Sequence, residues 1–152
     1  MEELTTRLQL ATIEDVPAVY KLLTGFAKNR EVEDSFKLTE ERLTHLVSDH
    51  GLNALLIYHN DKIVGTITFY ETISTFAGET GLHVEDMYIR NTYQRKGIGK
   101  RLLDGMIEET KRRGYAKLEW HCAKDNYGAM KFYTKMGAIK DEEWKTFAYY
   151  ID

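Results

Sequence analysis

The segment from Gln94 to Arg101 reads Gln-Arg-Lys-Gly-Ile-Gly-Lys-Arg and carries the residues best suited to chemistry. Gly97 and Gly99 let the backbone turn so that successive amide N–H groups point into one concavity. The helix expected after them directs its own first N–H groups and the positive end of its dipole to the same place. A pyrophosphate is the natural ligand of such a turn. Further charge for a phosphate comes from the basic side chains of the segment, which are Arg95, Lys96, Lys100 and Arg101.

The spacing of these glycines excludes two common nucleotide motifs. The dinucleotide pattern G-x-G-x-x-G requires a third glycine where Leu102 stands, and the P-loop pattern G-x-x-x-x-G-K-[ST] is absent as well. What remains is Q-x-x-G-x-G leading into a helix, with Gln94 as its first residue. The alternative interpretation is an ordinary glycine-containing turn between a strand and a helix, with basic side chains in solvent.

The elements around this turn predict an α/β domain in which strands and helices alternate around a mixed sheet. The clearest helix is Lys100 to Arg113, since Leu102, Leu103 and Met106 recur at helical spacing and Gly114 ends it. The other helices are expected from about Asp15, from Thr39 to Gly51, and from Asp125 or Asn126 to Met136. The expected strands are Arg7 to Ala11, Asn53 to His59, Lys62 to Glu71, Leu82 to Arg90 and Lys117 to Ala123, with one or two more in Ala138 to Tyr150. Ser74 to Gly81 is expected to be a polar loop.

Composition limits the classes of function. A chain of 152 residues with 43% hydrophobic and 30% charged residues predicts one globular domain spanning residues 1–152. Its net charge of -3 does not favour nucleic-acid binding. The single cysteine and the lack of a signal peptide or an apolar span predict a cytoplasmic protein without membrane partners. The five histidines lack metal-ligand spacing, so no metal is expected.

The motif and its surroundings resemble the GNAT superfamily of acyl-CoA-dependent N-acyltransferases. The signature [Q/R]-x-x-G-x-[G/A] is matched by Gln94, Gly97 and Gly99, and the run from Asp125 to Gly137 is similar to the family's N-x-x-A-x-x-F-Y-x-x-x-G helix. The resemblance is densest from Val84 to Phe147. It implies that the chain is an acetyl-CoA-dependent N-acetyltransferase.

The resemblance implies a mixed sheet of about seven strands, flanked by about four helices, in which strands four and five splay apart to admit the pantetheine arm. Strand four is Leu82 to Arg90, and its bulge aims backbone groups at the acyl carbonyl. The implied acetyl-CoA contacts are Met87, Tyr88, Ile89, Gln94, Arg95, Lys96, Gly97, Ile98, Gly99, Lys100, Asn126 and Tyr133.

The phrase from Val84 to Tyr88 further resembles the L-E-D-F-F-like strand of diamine (spermidine/spermine) acetyltransferases. That resemblance implies that Glu85 and Asp86 hold a cationic amine and help to deprotonate it. The run from Asp141 to Phe147, which contains Glu143 and Trp144, resembles the same subfamily's acidic-plus-tryptophan tail, whose residues line the amine channel. In a regular strand Glu85 and Asp86 would face opposite sides, so a bulge is needed to bring both to the substrate.

A thioester is already activated, so the amine can attack it directly. Three tasks remain for the protein: to deprotonate the amine, to stabilise the oxyanion and to protonate the departing thiolate. The amine has to lose its proton, since an alkylamine with a pKa of about 10.4 is about one part in 10³ neutral at pH 7. An amide of strand four, for which Tyr88 is the candidate, stabilises the oxyanion. Tyr133 matches the tyrosine that gives the departing thiolate its proton in many relatives.

The expected substrate is a primary amine of a small cation, such as a polyamine, a diamine or a lysine-like amine. Two other functions remain open: acetylation of a protein or peptide amine, and a CoA-binding sensor without turnover. Because the family commonly pairs into homodimers, the resemblance also implies a homodimer.

Overall fold

The computed structural model describes residues 4–151. These residues form two compact units, 4–120 and 121–151. The first unit contains the whole sheet and three of the helices, and the second contains the last helix and the C-terminal segment. The expectation of a single domain stays a prediction.

One mixed sheet has five strands in the order β1-β2-β3-β4-β5. The strands are β1 (Arg7–Leu10), β2 (Asn53–His59), β3 (Lys62–Ser74), β4 (Glu79–Ile89) and β5 (Lys117–Trp120). Neighbours from β1 to β4 are antiparallel, while β5 runs parallel to β4. The predicted mixed α/β sheet is therefore confirmed.

The helices are α1 (Val16–Asn29), α2 (Glu40–Asp49), α3 (Ile98–Arg112) and α4 (Tyr127–Lys135), which agrees with the expected four. Pro17 lies in the first turn of α1, where a missing N–H is tolerated. The hydroxyl of Thr39 accepts a bond from the amide of Arg42 at 3.0 Å and caps α2 as predicted.

Each face of the sheet packs against helices. On one face α3 buries Ile98, Leu102 and Met106 against strand residues that include Phe69 and Val84. The opposite face packs against α1 and α2 through Val16, Val19, Leu23, Leu43, Ala54 and Leu56. We call this second side the α1/α2 face.

The polar segment before β4 is not the loop that the sequence predicts. Residues 72–74 and 79–81 pair in register, so the hairpin of β3 and β4 extends almost to its tip. Gly81 suggested a loop, yet a side chain there would come within 2.8 Å of the carbonyl oxygen of Lys117. That glycine therefore lets β5 approach β4 closely, which is a strand role.

The expectation of about seven strands is wrong for the described residues, which form five. Residues 138–151 contain no strand, although one or two were expected there. Residues 140–143 read Lys-Asp-Glu-Glu and interrupt the alternation of polar and apolar residues that a strand needs. The residues after them favour strands, but strand propensity alone does not form a strand without a neighbour to pair with.

Within residues 4–151 we find no helix with both the length and the apolar character that crossing a membrane requires.

Candidate active site

The turn before α3 has the backbone that the glycine pattern predicts. Arg95 and Gly97 both adopt positive φ, at 62° and 81°, so the chain twists sharply between β4 and the helix. The helix begins at Ile98, and the amide of Arg101 donates to the carbonyl of Gly97 at 3.1 Å. The amides of Ile98 and Gly99 therefore precede the helical ladder. We call residues 94–99 the phosphate turn.

The two glycines of the turn have different surroundings. A side chain on Gly97 would meet nothing within 4 Å, so its backbone borders open space. At Gly99 an added carbon would lie 3.3 Å from the side chain of Ile89, so the glycine lets the helix approach the end of β4. Ile98 is buried and anchors the helix start. An anion bound here would face backbone amides and the positive helix end.

The basic side chains of the segment differ in their surroundings. Arg95 and Lys96 are exposed beside the turn. Lys100 forms an ion pair with Asp104 at 2.8 Å, and Nε of Arg101 donates to the hydroxyl of Thr6 at 3.4 Å. All four side chains are nevertheless exposed on the surface of the turn and the helix start.

Gln94 turns its side chain back toward β4. Its Nε2 donates to the carbonyl oxygen of Ile89 at 3.0 Å and to Oδ1 of Asn91 at 3.3 Å. The glutamine therefore ties the phosphate turn to the end of β4, which explains why a glutamine suits the first position of the motif.

The bulge expected in β4 is present and lies at Glu85. Phe69 of β3 pairs with Val84 and Thr68 pairs with Asp86, which leaves Glu85 as the extra residue. The bulge shifts the alternation of side chains by one position. As a result Val84 and Met87 pack toward α3, while Asp86 faces the α1/α2 side.

Beyond the bulge, β4 continues without β5 beside it. The ladder between these strands runs from the pair Gly81–Lys117 to the pair Val84–Trp120, so residues 85–89 extend past the end of β5. This agrees with the separation of strands four and five that the resemblance implies.

The hydrogen-bond register decides which amides face that open side. The amide of Arg90 donates to the carbonyl of Val64 in β3 at 2.9 Å. Because N–H directions alternate along an antiparallel strand, the amide of Tyr88 also points to β3, and those of Met87 and Ile89 point away. The register therefore favours the amides of Met87 and Ile89 over that of Tyr88 as an oxyanion donor, because the Tyr88 amide points to β3.

The side chain of Tyr88 has a different task. It is 8% exposed, its ring packs 5.6 Å from that of Phe26, and its hydroxyl accepts from Nδ2 of Asn29 at 2.9 Å. It therefore joins the middle of β4 to the last turns of α1.

Asp86 borders an apolar cavity of about 180 Å³ between α1, the connection to α2 and β4. We call this the Asp86 cavity. Its other lining residues are Leu23, Phe26, Ala27, Val32, Ser35, Phe36 and Leu38. Among the described residues, Asp86 is the only charged one that lines this cavity.

The carboxylate of Asp86 is held by Thr68. The threonine hydroxyl donates to Oδ2 at 2.9 Å and accepts from the Asp86 amide at 3.1 Å. Burial raises the pKa of Asp86 above its usual value, the charge of Glu85 raises it further, and the bond from Thr68 opposes both. Glu85 itself is exposed. The site therefore pairs a desolvated carboxylate with a solvated one.

Sequence reasoning missed Thr68, because its role depends on the register between β3 and β4. A second partly buried contact on the same face joins His83 to Glu119, with Nδ1 and Oε2 2.8 Å apart. Burial raises the pKa of Glu119, but hydrogen bonds from His83 and Lys117 lower it below its usual value.

The remaining predicted site residues belong to the second unit. Asn126 caps α4 by accepting from the amide of Ala129 at 3.2 Å, which confirms the predicted helix start. Tyr133 is half-buried on α4, and this burial, followed by the charge of Cys122, raises the pKa of its phenol. Glu143 and Trp144 are exposed.

The sequence model of the acetyltransferase (GNAT) family matches residues 16–138 of this chain. The chain belongs to the GNAT acetyltransferase family. It is therefore an acetyltransferase, and enzymes of this family use acetyl-CoA.

Two relatives of this GNAT chain carry the names of small amines. L-ornithine N5-acetyltransferase of Arabidopsis thaliana is 26% identical over 92% of this chain and 82% of its own length. Thialysine N-epsilon-acetyltransferase of Caenorhabditis elegans is 25% identical over 90% of this chain and 86% of its own. Neither relative is named for a diamine.

A solved structure confirms the fold of this GNAT protein. An aminoglycoside acetyltransferase from an uncultured soil metagenomic sample superposes with a TM-score of 0.83 at 20% identity, covering 97% of each chain. This likeness concerns the fold alone.

Proposed function

We propose that this GNAT protein transfers the acetyl group of acetyl-CoA to a primary amine of a small cationic substrate, either a polyamine or diamine or a lysine-like amine. The observation that carries the proposal is the desolvated carboxylate of Asp86 at the wall of a small apolar cavity. The names of the ornithine and thialysine relatives favour the lysine-like class.

The Asp86 cavity suits an ammonium group on an aliphatic chain. Leu23, Phe26, Val32 and Phe36 offer apolar contacts to methylene groups, and Asp86 offers one negative charge. An ion pair formed at a desolvated carboxylate is stronger than one in water. A volume of about 180 Å³ admits a short amine rather than a folded protein surface.

The phosphate turn would hold the diphosphate of acetyl-CoA through its backbone amides, with Arg95 and Lys96 beside it. The thioester supplies an activated acyl group. The residues that flank β4 then have only to orient the amine and to move protons. Lys100, Asn126 and Tyr133 stay proposed contacts.

The amide of Met87 is the proposed oxyanion donor in place of that of Tyr88. It points away from β3 and follows the bulge directly, so it faces the part of β4 that continues past β5. A strand amide is fixed by its ladder, so it needs no reorganisation when charge develops on the carbonyl oxygen.

Glu85 and Asp86 have different proposed roles toward the amine: one accepts its proton and the other binds its charge. A carboxylate that binds an ammonium also raises the pKa of that ammonium, so the group that binds it best is a poor partner for its deprotonation. Asp86, partly buried, holds a positive charge of the substrate. Glu85, exposed at the bulge, receives the proton directly or through water and passes it to solvent.

Tyr133 is the proposed acid for the departing thiolate. Burial raises its phenol pKa, so the proton stays in place at neutral pH until the C–S bond breaks. Glu143 and Trp144 are proposed to contact the substrate, the first as a carboxylate and the second through its ring face.

A homodimer is proposed as well. Five large apolar side chains in residues 144–151 are mostly exposed: Trp144, Phe147, Tyr149, Tyr150 and Ile151. They lie in a segment rich in strand-forming residues, and β5 lies at the edge of the sheet. An exposed strand-forming segment together with a sheet edge is the combination that strand exchange between two copies requires.

The experiment that tests the activity is thiol release from acetyl-CoA in the presence of single amines. The panel comprises L-lysine, L-ornithine, thialysine, spermidine, putrescine, an aminoglycoside and a peptide with a free N-terminus. We expect turnover with one of the small cations. Turnover with the peptide alone would show a protein acetyltransferase, and CoA binding without turnover on any amine would show a sensor; either result overturns the proposal.

A further inference from the structure

The side chains of Asn29 and Asn91 form a reciprocal amide pair. Nδ2 of Asn29 donates to Oδ1 of Asn91 at 2.9 Å, and Nδ2 of Asn91 donates back to Oδ1 of Asn29 at 3.1 Å. Asn29 is the last residue of α1, and Asn91 lies in the short 3₁₀ turn that follows β4. The pair therefore joins two elements that are 62 positions apart in the chain.

On one side the amide pair reaches the phosphate turn. Oδ1 of Asn91 also accepts from Nε2 of Gln94 at 3.3 Å, and the same Nε2 donates to the carbonyl of Ile89. Any ligand that fixes the phosphate turn fixes Gln94, and Gln94 in turn restrains Asn91.

On the other side the amide pair reaches the wall of the Asp86 cavity. Phe26 and Ala27, in the last turns of α1, line that cavity, and the amide of Val32 bonds to the carbonyl of Ala27 at 3.0 Å. Nδ2 of Asn29 also donates to the hydroxyl of Tyr88, whose ring packs on Phe26. Residues 27–37, which we call the cavity wall, are thus held through the end of α1.

We propose that Asn29 and Asn91 are positioning residues that couple the two binding sites: a ligand in the phosphate turn orders the cavity wall, and an amine in the cavity orders the phosphate turn. The inference rests on the proposed function, because it takes these two sites as the donor and acceptor sites. The coupling is reciprocal by thermodynamic necessity.

The surface location of the pair supports this role over a purely structural one. Both amides are exposed, and an exposed hydrogen bond contributes little to the stability of the fold. Such bonds open and close readily, so their populations respond to a ligand that holds one partner. A structural prop would restrain the cavity wall equally with and without ligand.

The test is amide hydrogen exchange of the full chain, measured by mass spectrometry with and without saturating coenzyme A. The informative amides are those of Arg30, Glu31, Val32, Ser35 and Phe36, because each donates within the cavity wall or to the end of α1. In the wild-type protein we expect coenzyme A to slow exchange in residues 94–101 and, by about fivefold or more, in the cavity wall.

Two variants break the pair from opposite sides, Asn91→Leu and Asn29→Leu. Each should keep the protection of residues 94–101 and lose that of the cavity wall, and the double variant should lose no more than either single one. Asn91→Asp keeps the oxygen that accepts from Asn29 and Gln94, so it should retain most of the coupling. Thr92→Ala, an exposed change in the same 3₁₀ turn, serves as the matched control and should behave as wild type.

The outcomes separate this inference from the proposed function. Protection of residues 94–101 without any change in the cavity wall overturns the coupling and leaves the acetyl-CoA site intact. Equal protection of the cavity wall in the wild type and both leucine variants overturns the role of the two asparagines. No protection of residues 94–101 at all overturns the proposed donor site and the coupling with it.

Discussion

Asp86 meets two opposing demands. A carboxylate moved out of water attracts an ammonium more strongly, but the same desolvation makes its charge costly in the absence of substrate. The raised pKa of Asp86 records this cost, and the single hydroxyl of Thr68 offsets only part of it. We infer that Asp86 lowers the stability of the substrate-free protein and raises its affinity for the amine.

Asp86→Asn should therefore stabilise the protein and weaken amine binding. A group whose pKa is raised by folding destabilises the native state at pH values above its folded pKa, and the effect disappears below its unfolded pKa of about 3.9. We expect a Tm gain of a few degrees at pH 7 that shrinks as the pH falls toward about 4. The KM for the amine should rise about tenfold or more, consistent with a lost charge-assisted bond.

Glu85→Gln is the control for the Tm shift, because the exposed carboxylate next to Asp86 carries little desolvation cost. Since this variant relieves only a smaller cause of the raised pKa of Asp86, the charge of Glu85, its Tm gain should be well below that of Asp86→Asn. A Tm for Asp86→Asn at or below that of the wild type across this pH range would contradict the account.

Tyr133→Phe should reduce kcat by about 100-fold, which is the usual contribution of a general acid. Because the variant retains the ring, the affinity for acetyl-CoA should change little. Steady-state kinetics together with a CoA titration measure both quantities. Since burial raises the pKa of this phenol, the wild-type kcat should not fall at alkaline pH until above about 10. An unchanged kcat would show that Tyr133 does not protonate the departing thiolate.

At the scale of elements, the proposed donor site is one turn whose two glycines have different roles. Gly97 adopts a backbone that other residues avoid, and Gly99 lets α3 lie against the end of β4. Because each glycine is required by the backbone within a few residues of it, both could be recognised from the sequence.

Gly97→Ala tests this turn, and Gly78→Ala is its matched control. Both glycines have positive φ, at 81° and 68°, and neither has an atom within 4 Å of an added side chain. Each variant should therefore lose about 1 kcal/mol of unfolding free energy from backbone strain. Urea titrations measure this loss.

The two variants should differ in their kinetics. Only Gly97→Ala places a methyl group in the concavity of the phosphate turn, so only this variant should raise the KM for acetyl-CoA. Gly78 lies in the turn between β3 and β4 and should leave that KM unchanged. Equal values of the KM for acetyl-CoA in both variants would show that the phosphate turn does not bind the cosubstrate.

Helices and the phosphate turn could be predicted closely, because capping residues and apolar spacing act over a few residues. Thr39 and Asn126 cap the helices they were expected to cap, and Gly97 precedes α3. The direction of the Tyr88 amide could not be predicted, because it depends on pairing with β3. The same holds for the contact of Thr68 with Asp86, since both depend on where the bulge falls.

At the scale of the whole molecule, residues 144–151 expose several large apolar side chains to solvent. Trp144, Phe147 and Tyr149 are 78%, 95% and 90% exposed, and monomeric proteins rarely expose so many adjacent apolar side chains. The sequence predicted strands here from propensity alone. In the proposed homodimer, a second copy would provide the neighbour that a strand requires.

Sedimentation velocity measures the oligomeric state directly. Two chains of 17.7 kDa should sediment together as a dimer. The variant Phe147→Lys with Tyr149→Lys should sediment as a monomer, because two charges cannot be buried without partners. Phe76→Lys changes an equally exposed aromatic residue at the tip of the β3–β4 hairpin and should remain a dimer. A monomeric wild type would contradict the proposed homodimer.

The central claim is that the phosphate turn binds the diphosphate of coenzyme A, and calorimetric titration of the wild-type protein tests it most directly. Coenzyme A and pantetheine share the thiol arm, but only coenzyme A carries the diphosphate. We expect saturable heat with coenzyme A and at least tenfold weaker binding of pantetheine, because pantetheine lacks the phosphates that would accept charge-assisted bonds from the turn. Equal affinity for the two compounds, or no heat with coenzyme A, would contradict it.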